Sequence, residues 1–132
     1  AINYKLPFHF FSHSTQNPWL NELGEHHIFA YDIMINTETA KRKKISDGDM
    51  VWLENEAGKV KGKVKVTECI HPEVLGIAGN FGSWAFGKPI GKGKGVHWNA
   101  LVPLTLKHID EISSNLDACP KVKIYKEGSS NG

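Results

Sequence analysis

Lysines alternate with apolar residues in one segment of the chain, and this is its clearest structural signal. Four lysines there alternate with three valines: Lys59, Lys61, Lys63 and Lys65 with Val60, Val64 and Val66. A period of two places one set on a wet face and the other on a buried face, as in a half-buried strand. The segment MVWLEN precedes it, with the turn signal EAG between the two. The pattern therefore predicts a β-hairpin over residues 50–68.

Other short apolar runs predict further strands. They are KLPFHFFSH (5–13), IFAYDIMI (28–35), VLGIAG (74–79) and VKIY (122–125). Each is short and rich in apolar or aromatic residues, which favours a strand over a helix. The run 96–106 is interpreted as a strand-like segment or a turn, and residues 108–120 as irregular. The chain is therefore expected to contain six or seven short strands.

Two helices are predicted from their capping residues. Asn17 precedes Pro18, and an N-cap residue followed by proline predicts a short helix, which should end near Gly24. Asn36 or Thr37 caps a second helix over 37–44, with acid at its start and base at its end. Short strands combined with two or three short helices favour a compact barrel with helices at its ends.

Length and charge narrow the class of protein. The chain has 132 residues, of which 40% are apolar, so it suits one folded domain. Lys and Arg number 16 against 14 Asp and Glu, and Arg42 is the only arginine. Arginine is the preferred reader of phosphate and guanine edges, so this balance argues against a dedicated nucleic-acid binder. No apolar run approaches the roughly 18 residues of a membrane span, and no leader is visible.

The residues that carry chemistry do not form a self-sufficient catalytic set. His9 and His13 would share one face of a strand, but no third metal ligand lies at a recognisable spacing. Cys69 and Cys119 form no Cys-x-x-Cys pair and are interpreted as reduced, buried thiols. The loop GKGKG (91–95) suits either a phosphate contact or a flexible basic loop. The residues alone therefore indicate a binding module rather than an enzyme.

Four segments, in order, resemble one known family. They are FFSHSTQNPWLNEL (10–23), the long segment 34–75 with its Ile-Ser-Asp-Gly-Asp turn, GNFGSW (79–84), and HWNALVP (97–103) followed by Asp110 and KVKIYK (121–126). From about Leu6 to Lys126, the chain resembles the C-terminal molybdopterin-dinucleotide-binding domain of the dimethyl sulfoxide reductase superfamily of molybdenum and tungsten oxidoreductases. The first segment looks most like the polysulfide and thiosulfate reductase-like branch.

The resemblance implies a fold and a cofactor. The fold would be mainly β with short helices, a six-stranded double-psi β-barrel over residues 1–126, with a frayed tail at 127–132. The chain would be a fragment of a larger protein, and its partners would be the upstream domains and the molybdopterin guanine dinucleotide. The pterins hold molybdenum or tungsten, and any protein ligand to the metal comes from an upstream domain. The fragment alone is therefore predicted to be inactive.

The resemblance also implies a set of cofactor-binding residues. They are His13, Ser14, Thr15, Gln16, Gly79, Asn80, Phe81, Gly82, Asn99 and Lys121. The amide of Asn99 can donate to and accept from the edge of a pterin or guanine ring. The polar loop 13–16 can meet pterin or phosphate oxygens, the glycine segment lets backbone approach a ligand, and Lys121 can neutralise a phosphate. Turn capping, a tight connection and a surface lysine are the alternative roles.

Other residues of the matched segments are assigned to the fold. Asp47, Gly48 and Asp49 are expected to turn the chain into a strand, and Trp52 is expected to face outward toward the missing domains. Lys43 and Lys44 stand where the family helix commonly ends in Leu-Gly, which leaves the subfamily open.

Two alternative functions remain open. One is a free-standing double-psi barrel for protein interaction or substrate recognition, as in the N-terminal barrel of some AAA-type ATPases. The other is a nucleic-acid binder that uses the lysine face at residues 59–65. With no leader in view, the cytoplasm and the periplasm of a prokaryote are both open.

Overall fold

The computed structural model describes residues 1–79, 81–83, 90–116 and 119–128. The strands in these ranges are β1 (Ile2–Tyr4), β2 (Ile33–Asn36), β3 (Met50–Glu54), β4 (Lys59–Thr67), β5 (Leu75–Ala78) and β6 (Lys123–Lys126). The helices are α1 (Pro18–His26) and α2 (Thr37–Lys43), with three 3₁₀ helices at Phe11–Gln16, Trp98–Leu101 and Leu106–His108. The predicted mainly β architecture with short helices is confirmed.

The six strands form one mixed sheet in the order β1-β5-β2-β4-β3-β6. β1 pairs with β5, and β2 with β4, in parallel. The pairs β2–β5, β3–β4 and β3–β6 are antiparallel. Within the described residues no ladder joins the edge strands β1 and β6, so the sheet itself is open.

The predicted hairpin is confirmed as β3 and β4. Their register runs from Met50 opposite Lys63 to Glu54 opposite Lys59. Along β4, Val60, Gly62 and Val64 are buried, whereas the lysines between them are exposed. Gly62 takes part in the core because a Cβ there would lie 2.5 Å from the Val96 side chain. The lysine alternation therefore reports one wet face and one packed face of the sheet.

Two apolar clusters stabilise the sheet. In the larger one, Ile33, Ile35, Val51, Leu53, Val64 and Leu101 are fully buried. Each such side chain contributes about 1.5–3 kcal/mol relative to an exposed position. The smaller cluster contains Leu6, Ala30, Ala78 and Phe81, with Tyr4, Phe8 and Tyr31 packed against it. This second cluster includes Ala78, the last residue of β5, and its Phe81 ring contacts the His9 ring.

Helix α1 begins as predicted but ends later. The side-chain oxygen of Asn17 accepts hydrogen bonds from the N–H groups of Trp19 at 3.0 Å and Leu20 at 3.4 Å. The helix continues through Gly24 to His26, so the predicted end at Gly24 is wrong. A Cβ at Gly24 would lie 2.6 Å from the Tyr31 hydroxyl. That glycine therefore permits close packing and does not terminate the helix.

Helix α2 is confirmed, with Asn36 as its cap. The side-chain oxygen of Asn36 accepts from the Glu38 N–H at 2.8 Å, and its amide nitrogen donates to the Ile70 carbonyl at 2.7 Å. At the other end, Lys44 adopts the left-handed conformation with φ 55°. The Ile45 N–H donates to the Ala40 carbonyl at 2.9 Å, which closes a Schellman motif. Lys44 thus occupies a position that favours glycine.

Several sequence-based predictions are wrong. Residues 5–10 form no strand, and the first strand is Ile2–Tyr4, because Pro7 lacks the N–H that a ladder requires. His13 lies in the 3₁₀ helix Phe11–Gln16, so it shares no strand face with His9. The segment 28–35 becomes a strand only from Ile33.

Corrections also apply to the C-terminal third and to the thiols. The run 96–106 contains the 3₁₀ helix Trp98–Leu101 and no strand. Cys69 and Cys119 are both exposed, which corrects the expectation that they are buried. Across the described ranges, no helix has the length and apolar character needed to cross a membrane.

Candidate ligand-binding groove

Three adjoining hollows form a groove on one side of the molecule. The first has a volume of about 130 Å³, and its walls include Ser12, Gly79, Phe81 and Asn99. The second, of about 690 Å³, begins at Asn99 and reaches His108. The third, of about 740 Å³, continues past His108 to Lys121. Asn99 joins the first two hollows and His108 joins the last two, so we call the whole depression the groove.

Asn99 presents an uncommitted amide to the groove. It lies in the 3₁₀ helix Trp98–Leu101, whose first and last residues are buried in the main core. The Asn99 side chain itself is exposed and makes no hydrogen bond to a described residue. The 3₁₀ helix thus holds a donor and an acceptor, neither with a partner among the described residues, where two hollows share a lining residue.

The first 3₁₀ helix directs its hydroxyl groups inward. The Ser14 hydroxyl oxygen accepts from the Phe10 N–H at 2.8 Å and lies 2.9 Å from His9 Nδ1. Thr15 is buried, and its hydroxyl donates to the Ser12 carbonyl at 2.8 Å. His13 is exposed beside the Phe10 ring, at 6.1 Å between centroids. The contacts of Ser14 and Thr15 are therefore those of turn-capping residues, the alternative role named for this loop.

Gln16 carries a buried amide with an unmet donor. Its side-chain oxygen accepts from the Ile90 N–H at 3.2 Å. Its Nε2 atom is buried and has no hydrogen-bond partner among the residues that the structure describes. A buried amide N–H without a partner is costly, which makes this atom a candidate contact for a polar ligand.

The glycine segment forms one wall of the groove. Phe81 is buried, with its ring 4.8 Å from that of Tyr31. Gly82 has φ +78°, and its N–H donates to the Lys94 carbonyl at 2.7 Å. The Gly79 N–H donates to the Tyr4 carbonyl at 3.0 Å, which extends the β1–β5 pairing. Asn80, the remaining predicted residue of this segment, lies outside the described residues.

Charged side chains line the far end of the groove. Lys121 is exposed in the third hollow, together with Glu54 and Lys123. His108 Nε2 lies 3.2 Å from Glu56 Oε1, an ion pair when the histidine is protonated. Lys121 therefore lines a different hollow from Ser12 of the first 3₁₀ helix, and the second hollow shares lining residues with both of these hollows.

Sequence reasoning missed several residues of the groove. Ser12, Ser83 and His97 line the first hollow with Asn99, and Glu56 and His108 connect the second to the third. His97 lies two positions before Asn99, and recognising the 3₁₀ helix would have placed both at one site. No group of three His, Cys, Asp or Glu residues within the described ranges could hold a metal ion.

Comparison with known proteins identifies the family. The family model described as Molydopterin dinucleotide binding domain matches residues 1–118. The chain belongs to this family. The six-stranded sheet is therefore that of a molydopterin dinucleotide binding domain, as the resemblance in the sequence indicated.

Relatives of this domain are much longer proteins. It is 34% identical over 102 residues to the thiosulfate reductase molybdopterin-containing subunit PhsA of Salmonella typhimurium, covering 77% of this chain and 13% of the relative. It is 30% identical over 132 residues to dopamine dehydroxylase of Eggerthella lenta, covering 96% of this chain and 12% of the relative. The chain thus spans about an eighth of the length of these curated relatives.

A solved structure shares the fold. Acetylene hydratase from Pelobacter acetylenicus matches with a TM-score of 0.73 at 16% identity, covering 95% of this chain and 18% of that chain. At this level of identity the match establishes the fold alone. It places the whole sheet, rather than one motif, in correspondence with part of a larger enzyme.

Proposed function

We propose that this chain binds the molybdopterin guanine dinucleotide as the C-terminal domain of a larger molybdenum or tungsten oxidoreductase. The observation that carries the proposal is the exposed amide of Asn99, which lines two hollows and has no hydrogen-bond partner among the described residues. A pterin or guanine ring edge presents adjacent donors and acceptors, and an amide side chain can pair with both.

The donor set of the groove suits such a cofactor. Asn99 provides an amide and Lys121 an ammonium group along the groove, and His13 directly follows Ser12, which lines the first hollow. Gln16 lines none of the three hollows, but its buried Nε2 lacks a partner among the described residues, and a ligand oxygen that reached it would satisfy it. Ring edges and phosphates need these kinds of groups, so the residues present fit the dinucleotide.

The shape of the groove also suits an extended ligand. It runs from Ser12 past Asn99 and His108 to Lys121 through hollows that share lining residues. In this arrangement Asn99 holds a ring edge, the segment of Gly79, Phe81 and Gly82 supplies a close wall, and Lys121 neutralises a phosphate. Ser14 and Thr15 contribute by shaping the loop that presents His13.

The proposal includes the detailed fold of the chain. We infer a six-stranded double-psi β-barrel over residues 1–126, with 127–132 as a tail. The parallel pairs β1–β5 and β2–β4 amid antiparallel ones suit that topology. The amino group of Ala1 donates to the Pro120 carbonyl at 2.7 Å, so the chain near β1 approaches the chain near β6. Such an approach is what a barrel requires of its edge strands, although no ladder joins β1 and β6 in the described residues.

In the parent protein, this chain and the upstream domains would have different roles at the cofactor. When bound, the cofactor supplies redox chemistry through the metal that its pterins hold. The residues of this chain bind and orient it, and the upstream domains supply the rest of the site. The chain alone should therefore bind without catalysing redox turnover, and the relationship to thiosulfate reductase suggests a parent that works in anaerobic respiration.

The proposal is tested by NMR titration of the ¹⁵N-labelled chain with guanosine diphosphate. Shifts should cluster at Ser12, His13, Gly79 and Asn99, with an affinity as weak as millimolar because only part of the site is present. An Asn99→Ala variant should lose most of that response. Scattered shifts, or an equal response in the variant, would contradict the proposal.

A second candidate function rests on exposed apolar side chains. Leu104, Leu106 and Ile112 are 79%, 89% and 97% exposed, which is unusual for large aliphatic residues. They favour a surface that contacts another protein, as in a free-standing interaction barrel. This function would be favoured if guanosine diphosphate caused no chemical-shift changes and a protein partner caused changes at these three residues.

A further inference from the structure

His9 is a buried imidazole that none of the predicted ligand contacts uses. It is only 7% exposed, although it lies in the irregular segment that follows β1. Its Nδ1 atom is 2.9 Å from the Ser14 hydroxyl oxygen, and that oxygen accepts from the Phe10 N–H at 2.8 Å. The imidazole therefore anchors the first 3₁₀ helix, whose early residue Ser12 lines the first hollow.

The ring of His9 also contacts Phe81, a second residue that lines that hollow. Its ring packs edge-on against Phe81, with 5.0 Å between centroids and 88° between planes. Phe81 also packs against Tyr31, and a Cβ at Gly95 would lie 2.5 Å from the Phe81 Cβ. Phe81 thus packs against Tyr31 and Gly95 as well as against the His9 ring.

The protonation state of His9 agrees with this arrangement. Burial lowers its pKa, and its Nε2 atom is buried with no hydrogen-bond partner among the described residues. The ring is therefore neutral near pH 7, with one nitrogen as donor and the other as acceptor. We assign Nδ1 as the acceptor of the Ser14 hydroxyl proton, because the Ser14 oxygen already accepts from Phe10.

From these contacts we propose that His9 is the positioning residue of the groove. It joins the 3₁₀ helix through Ser14 to the glycine segment through Phe81, and so sets the separation of the two walls that Ser12 and Phe81 provide. In this role His9 acts through Ser14 and Phe81, and it is not among the residues that line the three hollows of the groove. The inference rests on the proposed function of the groove.

The test uses variants that separate the two contacts of His9. His9→Phe keeps an aromatic ring against Phe81 and removes Nδ1, whereas Ser14→Ala removes the other partner. His26→Phe, on an exposed histidine at the end of α1, is the matched control. Each variant and the His9→Phe/Ser14→Ala double variant are titrated with guanosine diphosphate after a thermal melt has shown that they fold.

Positioning predicts a non-additive result. Each single variant should raise the Kd for guanosine diphosphate about threefold to tenfold, since one hydrogen bond is lost. The double variant should bind no more weakly than either single variant, and His26→Phe should bind like the wild type. Folded variants that bind like the wild type would overturn the inference. So would additive losses, because they would mean that Ser14 or His9 contacts the ligand directly.

A second readout remains if the wild-type chain binds no nucleotide, which would count against the proposed function alone. Amide hydrogen exchange should quicken at Phe10 and Asn17 in both His9→Phe and Ser14→Ala, because the Phe10 N–H donates to the Ser14 hydroxyl oxygen and the Asn17 N–H to the Ser14 backbone carbonyl. The amides of Phe81 and Gly82 should change shift in His9→Phe. Unchanged exchange and unchanged shifts in these variants would overturn the positioning role independently of ligand binding.

Discussion

The carboxylate of Asp47 accepts a hydrogen bond from the Val66 N–H at 2.7 Å. One side chain thereby connects the turn before β3 to the end of β4, and its other oxygen lies 3.0 Å from Lys65 Nζ. In the same turn, Gly48 has φ +83° and the Ser46 N–H donates to Asp49 at 2.8 Å. The Asp-Gly-Asp motif therefore has the structural role that the sequence predicted.

Replacing Asp47 should make stability less dependent on acid. The hydrogen bond from the Val66 N–H, followed by Lys65, lowers the pKa of Asp47. Stability from this group is present above the unfolded pKa of about 3.9 and is lost as pH falls through the lower folded value. Asp47→Asn should therefore be less stable than the wild type at pH 7 and converge with it near pH 2 in urea titrations.

The matched control for Asp47→Asn is Glu22→Gln. Glu22 is exposed on α1 and makes no ion pair with a described residue. Its substitution should leave the midpoint unchanged at both pH values. A constant gap between Asp47→Asn and the wild type from pH 7 to pH 2 would contradict the account.

Replacing Asp32 should increase stability at pH 7, whereas replacing Asp47 should decrease it. Burial raises the pKa of this carboxyl, against the opposing effect of Lys63. A raised folded pKa means that the charged form destabilises the fold above that pKa, and that the cost disappears as pH falls through it. Asp32→Asn should therefore raise the melting temperature at pH 7 and leave it unchanged near pH 2.

Asp110 is the matched comparison for Asp32, because its pKa is lowered by hydrogen bonds from Ser113. Asp110→Asn should lower the melting temperature at pH 7. If both asparagine variants moved the melting temperature in the same direction, the assigned environments of the two carboxyls would be wrong.

Gly82 should tolerate no side chain. Its φ of +78° is unfavourable for other residues, and a Cβ would lie 2.1 Å from the His97 backbone nitrogen. Gly82→Ala should lose more than about 2 kcal/mol of unfolding free energy in urea titrations, from strain combined with displaced backbone. Gly128 has a similar φ of +86° with nothing within 4 Å of a Cβ. Gly128→Ala should lose about 1 kcal/mol or less, and equal losses would contradict this packing.

Lys44 offers a stabilising substitution. It is held at φ 55° in the Schellman motif that ends α2, where a residue with a Cβ is strained. Lys44→Gly should raise the unfolding free energy by about 0.5–1 kcal/mol, measured by urea unfolding. Lys43→Gly, one position earlier within the helix, should lower it by about 1 kcal/mol. A loss in both variants would mean that the lysine side chain, rather than the backbone, decides stability at position 44.

Local sequence signals predicted much of the fold. Asn17 with Pro18, Asn36 before α2, and the alternating lysines of β4 each act within a few residues, so a linear pattern reveals them. The strand predicted over 5–13 failed because Pro7 interrupts an otherwise aromatic run. Gly24 was misread because its role, close contact with Tyr31, depends on a residue that only the fold brings near.

The site was less predictable for the same physical reason. The resemblance pointed to Asn99 and Gly79, but only the fold brings them to one hollow with Ser12. The inward turn of Ser14 depends on the buried position of His9, and no pattern in the sequence marks that histidine as different from the other six. Likewise, the exposure of both cysteines follows from irregular segments whose packing has no periodic signal.

The most direct test of the central claim is equilibrium dialysis of the chain against released pterin guanine dinucleotide, followed by pterin fluorescence. The wild-type chain should retain the dinucleotide, and Asn99→Ala should retain it about fivefold to tenfold less well, since one amide provides up to two hydrogen bonds. Asn99→Ala should melt like the wild type, because its side chain has no described partner in the fold. Equal retention by both proteins, or none by either at millimolar dinucleotide, would contradict the assignment of this groove to the cofactor.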